Sequence, residues 1–221
     1  MIFYVAIFIA LASTMETVGI WGRVLGAYQK SPAFGYSLHV RVATLGRFFT
    51  LLAAPSLGYL VDQGISANDV ALCGSIAFLL IAASAGISFL LPPSSYVAAF
   101  HLISKYISRE STIAQKKPPL RNNLRFGAVC STAFLFTAVG LILVNLLGSL
   151  LPDFRASIVQ MSAIFTTFGT LLHVFLIDPK LSYAADEDKN ELYNLSMMYI
   201  MYRAASALVL SIIFFMTYKL I

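Results

Sequence analysis

Charged residues are scarce in this sequence, and that scarcity excludes a water-soluble fold. Only 11% of the 221 residues are Asp, Glu, Lys or Arg and 59% are hydrophobic, whereas a soluble domain usually has about 25% charged residues. The intervals 70–104, 126–152, 156–177 and 192–218 hold a single charged residue between them, Arg203. Since a helix needs about 20 apolar residues to cross the hydrocarbon layer, each interval is long enough to span a membrane.

Other residue types and patterns are also missing. Cysteine occurs twice, and because Cys73 and Cys130 both lie in apolar runs, buried thiols are favoured over a disulfide. The strict alternation of a transmembrane barrel is absent. Histidine and aspartate are too scattered along the chain for a metal site of ordinary spacing, so neither a metal nor another cofactor is expected.

The apolar intervals predict an all-α polytopic membrane protein, with six transmembrane helices in a single domain. Chain breakers separate the spans: Pro152 precedes the fifth, and Asp178 with Pro179 ends it. Pro55 should kink or break the second helix, because it removes a backbone hydrogen bond. The predicted spans are about 1–23, 34–61, 69–91, 126–151, 155–177 and 193–218.

The loop between the third and fourth spans is strongly basic. Its segment from Ser94 to Glu110 has Tyr96 and Ile103 on one face and Lys105 on another, which predicts an interfacial amphipathic helix. Anionic membrane lipids are the expected partner, and the net charge of +5 then requires no nucleic acid. Six of the 15 basic residues lie in this loop, namely Lys105, Arg109, Lys116, Lys117, Arg121 and Arg125.

The basic residues also predict the orientation of the chain. The connections after spans one, three and five contain ten Lys and Arg residues, against Arg155 and Lys219 on the opposite side. Because cytoplasmic loops are enriched in Lys and Arg, these three connections are expected in the cytoplasm and both termini outside it.

Several ionisable residues lie inside the spans, where each charge costs at least about 2.5 to 3.5 kcal/mol and normally lines a cavity or contacts a partner. An excess of arginine over carboxylate indicates an anionic cargo, and a guanidinium suits phosphate because two parallel hydrogen bonds match two of its oxygens. The candidate substrate-binding residues are Arg23, Arg41, Arg47, Arg155 and Arg203, and the candidate coupling groups or charge partners are Glu16, Asp62 and His173.

Each of these residues also has a purely structural interpretation. Arg23 and Arg155 are near enough to a span end to reach the interface with their long side chains. Asp62 can simply end its helix, and His173 can be a hydrogen-bonded interior histidine. For the deeper arginines the alternative to a substrate role is a structural salt bridge.

One pattern, strongest over residues 13–62, is similar to a known family. It runs from Met15-Glu16-Thr17 to Arg23, continues with Arg41 and Arg47, and closes with Ala54-Pro55-Ser56-Leu57-Gly58 and Val61-Asp62. With Ile177-Asp178-Pro179 after the fifth span and an arginine in the sixth, it resembles the Amj family of alternate lipid II flippases.

The resemblance implies a transporter of the bacterial inner membrane rather than an enzyme. Its substrate would be an undecaprenyl-pyrophosphate-linked cell-wall precursor, lipid II, moved from the cytoplasmic to the outer leaflet during peptidoglycan synthesis. Larger flippases surround one cavity with two bundles, so a homodimer of this six-helix chain is expected. The small residues Gly140, Gly148 and Ser149 would permit close helix approach.

Two other functions compete with a flippase. A membrane enzyme would need clustered Arg, His and Asp, paired aspartates around Gly and Arg, or a Gly-x-Ser-Gly turn, and none of these patterns occurs. A proton-coupled exporter of small molecules is the stronger alternative, because Glu16 is the single acid of the first span. It predicts cationic substrates, which an arginine-rich cavity repels.

Overall fold

The computed structural model describes residues 1–97, 100–101 and 123–221, and these residues form a bundle of helices. Two short 3₁₀ helices cover Pro93–Tyr96 and Pro152–Phe154, and a π-helical turn, His173–Ile177, joins α5 to α6. The α-helices are α1 (Ile2–Tyr28), α2 (Pro32–Asp62), α3 (Ala67–Leu90), α4 (Leu124–Leu150), α5 (Arg155–Leu172), α6 (Asp178–Glu187) and α7 (Lys189–Leu220).

Six segments are long and apolar enough to cross a membrane, with Pro152–Glu187 counted as one. They fall on the six predicted spans, and the described residues contain no strand, which confirms the all-α polytopic fold. The predicted interfacial helix falls largely on residues outside the described ranges. Within those ranges, Tyr96 stacks on Trp21 with ring centroids 6.2 Å apart, and Phe100 is buried.

Several helices begin at side chains that accept a hydrogen bond from the first turn. Ser66 accepts one from the Asp69 backbone N–H at 3.1 Å, and Asn123 accepts one from that of Phe126 at 3.1 Å. Pro32 occupies the first turn of α2, where its missing N–H leaves no bond unmade. These caps place the helix starts where the sequence changes from polar to apolar.

The interior consists of two apolar clusters with a polar layer between them. One cluster, at the end of the bundle that carries the α1–α2 loop, includes Trp21 and Leu192. The other, at the opposite end, includes Phe78 and Phe214, whose rings stack with centroids 5.5 Å apart. Between the clusters, α1 contributes Ser13, Glu16 and Thr17, and α7 contributes Arg203. This layer therefore places the Glu16–Arg203 ion pair between the two apolar clusters.

Interhelical hydrogen bonds and close backbone contacts hold the helices together. Lipid tails are as apolar as the protein interior, so the hydrophobic effect contributes little to helix association in a membrane. Ser75 of α3 donates to the Ser211 carbonyl at 3.1 Å, and Ser211 of α7 donates to the Ser75 carbonyl at 2.9 Å. α1 and α2 meet at Gly26 and Gly35, where a Cβ on either residue would collide with backbone atoms of the other helix.

α2 and the Pro152–Glu187 segment are the two least buried spans. α2 packs chiefly on α1, and α5 packs chiefly on α4, so α2 and α5 have little backbone contact with each other. Arg155 links them at one end through the Gly58 carbonyl, 3.1 Å away, and the Asp62 carboxylate, 2.7 Å away. At the other end α2 contacts α6. A lateral gap therefore lies between α2 and α5.

The structure corrects three expectations about the helices. α2 continues without a break through Pro55, so of the predicted kink or break the break does not occur. The fifth helix does not end at Asp178: the π turn carries it past Pro179 to Glu187. A Cβ at Gly140 would contact Phe165 of the same chain. That glycine therefore serves α4–α5 packing instead of the expected contact between two copies.

Candidate functional site

A cavity of about 280 Å³ lies between α2, α4 and α5. Its wall is mixed, with apolar side chains such as Val40, Ala133 and Phe134 among polar ones. The polar and charged lining residues are Glu16, Tyr36, His39, Thr44, Arg47, Thr137, Thr170, His173, Asp178, Tyr199 and Arg203. The α2 residues and the α7 residues both come from the first half of their helices, so the cavity lies toward the end that carries connections one, three and five.

Arg203 is held at the inner wall of this cavity by several acceptors. Its Nη2 donates to Glu16 Oε2 at 2.6 Å and to Ser13 Oγ at 2.8 Å, and its Nη1 donates to the Tyr199 hydroxyl at 2.6 Å. The guanidinium also lies 4.9 Å from the centroid of the Phe134 ring. Arg203 is 5% exposed, so its charge is compensated inside the bundle before any ligand is present.

Arg23 is compensated in the same way near the end of α1. It is 2% exposed and forms an ion pair with Asp178 Oδ1, and its guanidinium lies over the Tyr36 ring at 4.7 Å. His173 Nε2 lies 3.5 Å from the same carboxylate oxygen. The prediction that Arg23 simply reaches the interface does not describe this buried ion pair.

The π turn explains how His173 and Asp178 come together. Residues five apart in a regular α-helix point about 140° apart at 100° per residue, whereas an i→i+5 turn brings them to one side. The widened turn ends directly before Asp178 and Pro179. Pro179 has no N–H, and in a regular helix its ring would crowd the carbonyl of residue 175, so widening at this point relieves that clash.

His39 of α2 completes this cluster. One ligating atom from each of His39, His173 and Asp178 lies within 4.8 Å of the others. His39 is 7% exposed, and its Nδ1 is buried without a hydrogen-bond partner. The fold thus brings together groups that are 134 and 139 positions apart in the sequence.

Arg41 and Arg47 differ from the other candidate arginines. Both are exposed on α2, and neither forms an ion pair with a carboxylate in the described part of the chain. Arg47 lines the cavity, whereas Arg41 is not among the lining residues. Arg47 is therefore the cavity arginine whose charge has no carboxylate partner among the described residues.

The structure brings some of the predicted site residues together and separates others. Glu16, Arg47, His173 and Arg203 share the cavity. Asp62 and Arg155 form their own pair at the far end of the α2–α5 gap, and the Asp62 side chain is 67% exposed.

Sequence reasoning missed four participating residues, Ser13, His39, Asp178 and Tyr199. Two of them could have been found from the sequence: His39 is a histidine inside a span, and Asp178 is an acid at the end of a span.

The fold and this site define a multi-pass helical membrane protein with an arginine-containing cavity beside a lateral gap. No family model matches the chain, and comparison with curated proteins and with solved structures likewise gives no match.

Proposed function

We propose that this protein is a flippase that moves a lipid-linked pyrophosphate sugar, an undecaprenyl-pyrophosphate-linked cell-wall precursor, from the cytoplasmic to the outer leaflet. In this proposal the bilayer is the bacterial inner membrane and both termini face away from the cytoplasm. The headgroup occupies the cavity between α2, α4 and α5 while the polyprenyl chain stays in the lipid.

The observation that carries the proposal is Arg47, a cavity residue whose guanidinium has no carboxylate partner among the described residues. A guanidinium in or beside the hydrocarbon region is costly unless an anion accompanies it. Both acids of the cavity already pair with another arginine, Glu16 with Arg203 and Asp178 with Arg23. In this proposal the ligand supplies the anion for Arg47. A pyrophosphate supplies two phosphates, each able to accept a bidentate pair of hydrogen bonds.

The gap between α2 and α5 supports a lipid as the source of that anion. A lipid headgroup cannot leave the membrane plane easily, so its binding site must open sideways into the bilayer. Arg155 of α5 is joined to α2 at one end and α6 contacts α2 at the other, and the cavity lies between. An acyl or polyprenyl chain can then remain outside while its headgroup enters.

The test is a flipping assay with purified protein in liposomes. A fluorescent lipid-linked pyrophosphate disaccharide is placed in both leaflets, and a membrane-impermeant quencher or hydrolase measures how fast the inner pool becomes accessible. We expect flipping of this lipid and little flipping of phosphatidylethanolamine carrying the same fluorophore. Equal rates for both lipids, or no rate above empty liposomes, would refute the proposal.

A proton-coupled exporter is the second candidate, because Glu16 lines this cavity and a smaller one of about 90 Å³ beside it. Its ion-pair partner Arg203 lines both cavities as well. The two candidates differ in the charge of the expected substrate. Export of a cationic dye that requires a pH gradient, and that is lost in the Glu16→Gln variant, favours the exporter. Flipping that persists without a pH gradient favours the flippase.

A further inference from the structure

The cluster of His39, His173 and Asp178 has the composition of a transition-metal site. Two imidazoles and one carboxylate are common ligands of Zn²⁺ and related divalent ions. The ligand atoms lie within 4.8 Å of one another, whereas the ligands of a tetrahedral zinc ion are about 3.4 Å apart at bond lengths of about 2.0 to 2.1 Å. Side-chain rotations that shorten the longest separation by roughly 1.4 Å would close the site around an ion.

The three groups do not satisfy one another's hydrogen-bonding capacity. The His39 Nδ1 atom is buried and has no hydrogen-bond partner, in a side chain that is more than nine-tenths buried. The distance of 3.5 Å from His173 Nε2 to Asp178 Oδ1 is too long for a good N–H···O bond. Asp178 is paired with Arg23, whereas neither histidine makes a hydrogen bond of good geometry within the cluster.

Arg23 is the group that opposes a metal here. Its ion pair and the His173 contact both involve Oδ1 of Asp178, which leaves Oδ2 able to coordinate a metal ion. A divalent ion would nevertheless lie near the guanidinium charges of Arg23 and Arg203, which repel it. Arg23 therefore competes with a metal ion for Asp178.

All three side chains line the large cavity, so the remaining coordination positions of a bound ion would face it. Two imidazoles and a carboxylate fill three positions of a tetrahedral zinc ion, and a water or an oxygen of a cavity ligand can fill the fourth. If the proposed function holds, that oxygen would belong to the pyrophosphate.

We infer that His39, His173 and Asp178 form a binding site for one divalent transition-metal ion of the zinc type, at the cavity wall and in competition with Arg23. This inference does not depend on the proposed flippase function, because metal binding is measured without any lipid substrate.

The test uses the full chain in detergent or nanodiscs, purified through an affinity tag that contains no histidine. Zn²⁺ titration by calorimetry gives stoichiometry and affinity, and the visible spectrum of Co²⁺ reports the coordination geometry. We expect one ion per chain and a tetrahedral Co²⁺ spectrum. His39→Ala, His173→Ala and Asp178→Asn should each weaken Zn²⁺ binding by at least about 10-fold, since even outer partners of metal ligands contribute that much.

Three controls make the result specific to this site. His101→Ala removes a histidine outside the cluster and should leave the affinity unchanged, and Cys130→Ala excludes the cavity thiol as the ligand. Arg23→Gln should tighten Zn²⁺ binding several-fold, because it removes the competing cation from Asp178. A purely structural cluster has no reason to gain metal affinity when Arg23 is replaced.

Folding is checked for each variant by size-exclusion chromatography, and His39→Gln keeps a polar side chain where His39→Ala fails to fold. No stoichiometric Zn²⁺ binding by the wild type, or binding that is equal in the His39, His101 and His173 variants, would overturn the inference. Loss of Zn²⁺ binding in Cys130→Ala alone would assign the ion to a thiol site and overturn it as well.

Discussion

The arginines inside the spans differ at the scale of single residues in what surrounds the guanidinium. Arg23 and Arg203 are buried and paired with carboxylates, and Arg155 joins an exposed acid at a helix end. Arg47 projects into the cavity without such a partner. Arginine therefore occurs in this bundle both in ion pairs and at a position open to a ligand. Substitutions at these positions should have different effects.

Replacement of Arg47 should abolish transport while leaving the protein in the membrane. Arg47→Ala removes the unpaired charge, and Arg47→Lys should keep only part of the activity, because an ammonium lacks the planar bidentate fork. Arg41→Ala is the matched control, since Arg41 is also exposed on α2 but does not line the cavity. Flipping rates are measured with protein level by immunoblot. Equal activity of Arg41→Ala and Arg47→Ala would contradict this assignment.

Replacement of Arg203 should act on stability instead. Arg203→Ala leaves Glu16, Ser13 and Tyr199 without their donor, and removing one partner of a buried pair costs about 3 to 5 kcal/mol. We expect less than this upper figure, because the Glu16 side chain is 42% exposed. The double variant Arg203→Met with Glu16→Gln should recover most of the lost unfolding temperature in detergent. A double variant no more stable than Arg203→Ala alone would show that the ion pair is not what stabilises this layer.

At the scale of helices, the sequence predicts the elements well and the site only in part. Apolar length and breakers locate all six spans, because a bilayer imposes its thickness on any helix that crosses it. The partnership of His173 with Asp178 could not be predicted, because a constant 100° per residue places them on different sides of a helix. The partnership of Arg23 with Asp178 depends on how α1 packs beside α6, which no local pattern contains.

The approach of α1 to α2 should depend on their paired glycines. A Cβ at Gly35 would lie 2.9 Å from the Arg23 carbonyl oxygen, so Gly35→Ala must push the helices apart and lower the unfolding temperature. Gly58→Ala on the same helix meets nothing within 4 Å and should be neutral or stabilising by up to about 1 kcal/mol, through helix propensity. Thermal unfolding in one detergent compares the two. A Gly35→Ala variant as stable as Gly58→Ala would show that the close approach is dispensable.

For the whole molecule, the orientation decides what the cavity can take up. The cavity lies toward the end that carries connections one, three and five, which are the basic ones. If these connections are cytoplasmic, the cavity opens where a cell-wall precursor is made. The proposed direction of transport therefore rests on this orientation, which is predicted from the number of Lys and Arg residues in each connection.

Cysteine labelling tests this orientation. With Cys73→Ala and Cys130→Ala as background, a membrane-impermeant maleimide should label Gln63→Cys in intact cells, because the α2–α3 connection is expected outside. Asn190→Cys, at the α6–α7 connection, should react only after the cells are permeabilised. Both positions are exposed, so a difference in labelling reflects sidedness, and the reverse pattern would invert the proposed direction.

The length of the two helices beside the gap has a consequence for the choice of membrane. Pro152–Glu187 contains 36 residues and α2 contains 31, or roughly 54 and 46 Å at 1.5 Å per residue, against a hydrocarbon layer of about 30 Å. A helix of this length either extends past the hydrocarbon layer or crosses it at a tilt, and a thicker bilayer makes a tilted helix more upright.

Because Arg155 joins α5 to α2 at one end only, we expect the relative tilt of the two helices to change the width of the gap between them. Flipping should therefore be slower in liposomes of long-chain lipids than of short-chain lipids with the same headgroups. Arg155→Ala removes the contact between α5 and α2 at one end, so it should reduce the dependence of the flipping rate on lipid chain length. Bilayer thickness would then act on this protein as a regulator of access to the cavity.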